Sequence, residues 1–245
     1  MKSTNPIFNE NVYEQSYALT ERPMTVAGTM NKLLILSLIM LVSAAAVYYQ
    51  FSLGRYDFVN ILTWAGVIIG LVLGIAIPFM KDKSPYLAPI YAFAEGAFIS
   101  GISCFFEKMY SGIVTQAISV TFLVVFAMAV LYRVGLIKAT EKFRAVIFTA
   151  TLAIGLFYLI SIILFFFKVN VPYFYSNSSL AIGVNVVIAL VAALNLIIDF
   201  DNIDNGVRAN LPSYFEWYCS FGLLVTIVWL YIEILRLLAR TRSRN

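Results

Sequence analysis

Histidine is absent from this 245-residue chain, and cysteine occurs only twice. Without imidazole there is no histidine metal site, no histidine general base and none of the usual neutral-pH switches. Charge is also scarce: Asp, Glu, Lys and Arg make up 12% of the residues, about half the share in soluble domains. Cys104 and Cys219 both fall inside long apolar runs, so two buried thiols are expected rather than a disulfide framework. The opening also lacks the basic start and short apolar stretch of a cleaved signal peptide. Residues 1–32 are polar, with Asn5, Pro6, Asn9, Glu10, Glu14, Glu21 and Arg22. They read as a soluble tail, and the first apolar run as its own insertion signal.

What the chain does have is apolar length. Hydrophobic residues make up 61% of it and the mean hydropathy is +0.87. A helix needs about 20 apolar residues to cross a hydrocarbon core of roughly 30 Å. Seven runs satisfy this, at 33–50, 58–80, 86–106, 112–132, 145–167, 180–200 and 214–238. Short connections leave no room for a soluble catalytic domain. The expected fold class is all-α, a polytopic membrane protein. It divides into a polar tail (1–32), a seven-helix transmembrane domain (33–238) and an Arg-rich tail (239–245).

Alternate segments differ in basic content. The N-terminal side holds Lys2, Arg22, Lys32, Lys81, Lys83, Arg133, Lys138, Lys142, Arg144 and Arg208, against Arg55, Lys108 and Lys168 on the other side. By the positive-inside rule this puts the N-terminus in the cytoplasm. Seven crossings then place Arg236, Arg240, Arg242 and Arg244 outside, against the rule. The alternative is a late re-entrant segment with both ends cytoplasmic.

Small residues recur every fourth position at Gly66, Gly70 and Gly74, and again at Ala92, Gly96 and Ser100. Such stripes let helix backbones approach closely and are read as packing seams. Carboxylates inside the apolar runs are more informative, because each costs about 2.5–3.5 kcal/mol at the membrane centre. Glu95 lies in the middle of the third run with no charged neighbour in sequence, which points to a neutral state or a partner on another helix. Asp199 and Asp201 close the sixth run, with Asn195 one turn earlier and able to bond to Asp199. Glu216 opens the seventh run at the same depth as the aspartates, and Glu233 lies roughly 25 Å further on, where Arg236 can pair with it. Acidic groups are thus expected at inner, middle and outer depths, an arrangement that suits cation passage. Asp199 and Asp201 are the only candidate metal ligands, and calcium suits their oxygens best. The segment from Asp199 to Gly206 fails the EF-hand pattern, with Ile203 at the fifth position and a misplaced glycine.

Several motifs together resemble the transmembrane Bax-inhibitor-motif superfamily, in particular its bacterial Bax-inhibitor-like (YccA-like) branch. They are Asn5-Pro6 with Met24-Thr25-Val26, the stretch from Ala94 to Gly101, and Ile198-Asp199-Phe200-Asp201-Asn202-Ile203. Glu216-Trp217-Tyr218 and the stretch from Trp229 to Leu238 complete the set. The resemblance implies a seven-helix fold with the last helix central. It also implies a pH-sensitive calcium leak controlled by two hydrogen-bonded aspartates on the sixth and seventh helices. Asp199 matches the first of these. No aspartate stands at the second position, where Thr226 or a neighbour falls, so Asp201 or Glu216 is expected to supply the missing carboxylate.

Two carboxylates sharing a dry site cannot both ionise cheaply. Proton loss from such a pair would separate the sixth and seventh helices and admit a cation. The expected activity is therefore a pH-sensitive calcium or cation leak, with Asp199, Asp201, Glu216, Glu95 and Glu233 along the ion pathway and Asn195 and Arg236 in support. No cofactor is expected; calcium would be a permeant ion. Two alternatives stay open: a non-conducting regulator that binds a membrane protease or another membrane protein, and a proton-coupled transporter. Neither an enzyme nor a nucleic-acid partner is expected. A bacterial plasma (inner) membrane is the expected location.

Overall fold

The computed structural model describes residues 22–167 and 178–243. Asn5, Pro6, most of the polar tail, Lys168 and Arg244 lie outside the described residues. The described chain forms α1 (Val26–Ser52), α2 (Tyr56–Phe79), α3 (Ser84–Met109), α4 (Ile113–Arg133), α5 (Glu141–Phe166), α6 (Ser179–Arg208) and α7 (Tyr214–Arg242). One 3-10 turn, Lys81–Lys83, joins α2 to α3. The shortest helix, α4, has 21 residues, about 31 Å at 1.5 Å per residue, so all seven are long and apolar enough to cross a bilayer. The protein is an all-α polytopic membrane protein.

Helix ends follow polar chemistry more than hydropathy. The apolar run starts at Leu33, but α1 starts at Val26, because the Thr25 side chain accepts a bond from the Gly28 amide at 2.8 Å and caps the first turn. Likewise α6 continues past the apolar stretch to Arg208. Its extra turns carry Asp201, Asp204 and Asn205, whose side chains bond to one another or to α4 and α5. The arginines of the expected C-terminal tail at 240 and 242 are also helical, since α7 runs to Arg242.

The last helix is central. It packs against α1, α3, α4 and α6, and Tyr158 of α5 reaches its Glu233. Leu223, Leu230 and Leu235 join Leu196 and Ile197 of α6 and Ile113 of α4 in one apolar cluster. On its other side, Phe221, Leu224 and Val228 pack with Leu36 of α1, Ile77 of α2 and Ala88 of α3.

The stripes of small residues form seams at Gly66 and at Gly96 and Ser100, whereas Gly70 and Gly74 border a cavity. A Cβ on Gly96 would collide with the Met40 carbonyl oxygen of α1, and one on Gly66 would stand 2.5 Å from the Ala94 carbonyl oxygen of α3. Backbone proximity lets Ser43 Oγ donate to the Phe93 carbonyl at 2.7 Å and Ser100 Oγ to the Ala44 carbonyl at 2.8 Å. Close backbones and short hydroxyl bonds hold helices together where lipid offers no hydrophobic drive.

The start of α1 meets the start of α7: the Met24 amide donates to the Leu211 carbonyl at 2.8 Å. Ser84 at the start of α3 donates to the Tyr214 carbonyl at 3.0 Å at the same end. At the opposite end Arg242 donates to the Ser111 carbonyl and to Gln116. The last helix therefore traverses the whole bundle. That overturns the re-entrant alternative, because a segment that turned back would leave Arg242 beside Met24.

Candidate functional site: a cavity between four helices

Between α2, α3, α6 and α7 lies a cavity of about 590 Å³. It exists because glycine faces it from two sides. Gly70 and Gly74 on α2 and Gly222 on α7 contribute no side chains to fill the gap. A Cβ on Gly70 would stand 3.0 Å from Glu95 Oε2, so this glycine leaves room for the carboxylate itself. Aromatic rings of Tyr91, Phe98, Tyr218 and Phe221 form much of the remaining wall.

Two carboxylates from separate helices line this space: Glu95 from α3 and Asp199 from α6. Glu95 is 8% exposed, and its polar neighbour is the Tyr91 hydroxyl one turn earlier. Asp199 meets Thr226 and Cys219, both on α7. Its Oδ2 is buried and has no hydrogen-bond partner among the described residues. Such an atom costs free energy that a water, a proton or an ion would relieve. Thr226 is thus the seventh-helix group opposite Asp199, at the position where the sequence comparison lacked an aspartate.

Neither expected substitute for that aspartate reaches the cavity. Asp201 pairs with Arg144 of α5, accepts from Asn205 at 2.9 Å and faces Tyr132 of α4. Two residues along a helix is a rotation of roughly 200°, so Asp199 and Asp201 point to different faces and do not share a metal position. Among the described residues no group of three acidic, His or Cys side chains converges on a metal. Depth along the chain suggests a place beside the aspartates for Glu216. It instead accepts from the Thr25 amide at 3.0 Å and its hydroxyl at 3.1 Å, with Lys32 Nζ at 3.8 Å. It is occupied in fixing the start of α1, because α7 presents that position towards α1 and away from α6.

Asn195 does not bond to Asp199. Its Nδ2 donates to Thr151 Oγ1 at 2.8 Å and to the Val191 carbonyl at 2.9 Å, joining α6 to α5. Glu233 is 1% exposed and lies outside the cavity lining. It accepts from Tyr158 at 2.8 Å, Arg236 at 3.1 Å and Asn185 at 3.4 Å. This cluster ties α5, α6 and α7 together. Sequence reading missed Tyr91, Asn202 and Cys219 as cavity residues. The i, i+4 spacing of Tyr91 and Glu95 was a signal for the first.

A family model described as Bax inhibitor 1 like matches residues 5–243. No curated protein and no solved structure matches the chain.

Proposed function

This chain belongs to the Bax-inhibitor-1-like family, and on that premise we propose that it is a pH-sensitive leak for calcium or a similar cation. The observation that carries the proposal is that Glu95 and Asp199 line one glycine-bordered cavity beside the central helix. An ionised carboxylate in a poorly hydrated space attracts a cation, and a protonated one does not. Exchange of protons for cations at Glu95 and Asp199 then links conduction to pH without histidine. Asp201, Glu216 and Glu233 hold helices in place around this path and are not themselves in it. The unpartnered Asp199 Oδ2 supports a role in ion contact, since the oxygen is free to accept a proton or a ligand.

The excess of Lys and Arg at the end bearing Lys32, Lys83, Lys142 and Arg208 supports a cytoplasmic position for that end. A bacterial inner membrane is the proposed location. Purified protein in liposomes should pass calcium with a flux that varies between about pH 5 and pH 8, the range in which buried carboxylates exchange protons. Asp199→Asn should flatten that dependence. Absence of flux at every pH would reject the leak and favour a non-conducting regulator of membrane proteolysis or stress signalling. Proton uptake that required a second substrate would favour a coupled transporter.

A further inference from the structure

We propose that the cavity between α2, α3, α6 and α7 binds an amphiphilic organic cation, an alkylammonium group on an apolar tail, that enters from the bilayer between α2 and α6. Its volume of about 590 Å³ falls within the roughly 300–1,000 Å³ of sites that enclose small organic ligands. The lining is the kind such a ligand needs. Aromatic and aliphatic side chains provide most of it, and Glu95 and Asp199 are its only charged groups. Calcium takes six to eight oxygens when it binds tightly, and this wall is mostly carbon. An ammonium group is satisfied by a carboxylate together with aromatic rings, and Tyr91, Phe98, Tyr218 and Phe221 all line the cavity.

The carboxylates are available to such a guest. None of the ion pairs among the described residues involves Glu95 or Asp199. Lys81 sits over the ring of Tyr218, a lining residue, at 5.4 Å from its centroid and pairs with neither. Asp199 Oδ2 has no donor, and an N–H group entering the cavity supplies one.

The entrance is lateral. Leu71 lines the cavity yet is 62% exposed on the lipid-facing side of α2. Asn202, in the turns of α6 beyond its apolar stretch, is exposed at the polar end of the same opening. Packing holds α2 to α3 and α1, with no comparable interface between α2 and α6. An amphiphile diffusing in the membrane thus reaches Glu95 tail and head together. This inference concerns binding and stands whether or not the cavity conducts, so an equilibrium measurement tests it apart from flux.

Dodecylammonium, radiolabelled, is titrated into nanodiscs of phosphatidylglycerol carrying the full chain, with empty nanodiscs as the partition control. The expected result is saturable binding of about one cation per chain above that control. Occupancy should slow alkylation of Cys219, which lines the cavity, by N-ethylmaleimide, with site-resolved mass spectrometry separating Cys219 from Cys104. Dodecanol, with the same tail and no charge, should neither compete nor protect. Asp199→Asn and Glu95→Gln should each weaken binding at least about thirtyfold, as loss of one partner of a desolvated charge pair does. Asp57→Asn, at the far end of α2, should leave it unchanged. A second set of nanodiscs containing phosphatidylethanolamine separates the sources. Weakened dodecylammonium binding there assigns a lipid headgroup as the resident ammonium, and unchanged binding assigns a free amine. Binding no greater than in empty nanodiscs overturns the proposal, as does equal competition by dodecanol. The alcohol comparison on the unaltered protein decides the matter even where a variant fails to fold.

Discussion

Among the described residues, Asp199 Oδ2 is the buried side-chain oxygen left without a hydrogen bond, and its neighbour Thr226 brings a hydroxyl where a second acid would complete a pair. Thr226→Asp places that acid opposite Asp199. Like charges in one dry site cannot both ionise, so cation flux in this variant should follow pH differently from the parent, whereas Thr226→Val should keep the parental profile. Identical profiles in liposomes for Thr226→Asp and the parent would remove Asp199 from the pH response. The three acids that miss the cavity, Asp201, Glu216 and Glu233, were legible in the sequence as carboxylates within or at the ends of apolar runs but not as partners. Depth along a helix is readable from residue number. The direction a side chain faces depends on how the whole helix is rotated, and Glu216 fell on the α1 side for that reason. Glu233 illustrates the energetics. Single interhelical hydrogen bonds in membranes average about 0.6 kcal/mol, while removing one partner of a buried charge pair costs about 3–5 kcal/mol. Arg236 keeps 31% side-chain exposure and can turn to polar surroundings, so Glu233→Ala should cost about 2 kcal/mol, between these limits. A lowered thermal-unfolding midpoint in detergent is the readout.

At the scale of helices, α3 is held by glycine on both flanks. Gly96 meets the α1 backbone and Gly66 approaches the α3 backbone from α2. Gly74 differs, since a Cβ there would lie 3.8 Å from the Tyr91 ring in ordinary contact. Gly96→Ala should therefore destabilise by about 1–3 kcal/mol through overpacking, and Gly74→Ala should be nearly neutral in the same unfolding assay. Equal effects would mean that the α1–α3 seam relaxes. The fourth-residue spacing announced both seams from sequence. It did not announce that Gly70 and Gly74 would run past the seam and border an empty space, because that depends on α7 standing back from α2.

Across the whole molecule, the tie of Met24 to Leu211 and that of Arg242 to Ser111 fix the first and last helices end to end. Odd crossing number then places Lys83 and Ser243 on opposite sides. In a cysteine-free background, Lys83→Cys should label only from the cytoplasmic side of intact cells and Ser243→Cys only from the outside. Labelling of both from one side would contradict the seven-crossing topology. Four arginines near the end of α7 seemed to oppose an outer location by the positive-inside rule. Contacts relieve part of that conflict: Arg236 pairs with Glu233, Arg240 donates to the Ala181 carbonyl, and Arg242 donates to Ser111 and Gln116. These side chains are structural braces as well as topological signals.

Seven helices long and apolar enough to cross a membrane, the small-residue spacings and the acids placed in apolar runs could all be read along the chain. Those properties are local: hydropathy, four-residue spacing and the presence of an acid in an apolar run need no neighbour to be recognised. That Glu95 and Asp199 share a cavity while Asp201, Glu216 and Glu233 bind other helices emerges from helix packing. Which acids meet is set by the rotation of each helix about its axis. Packing against the central helix fixes that rotation, and hydropathy carries no record of it.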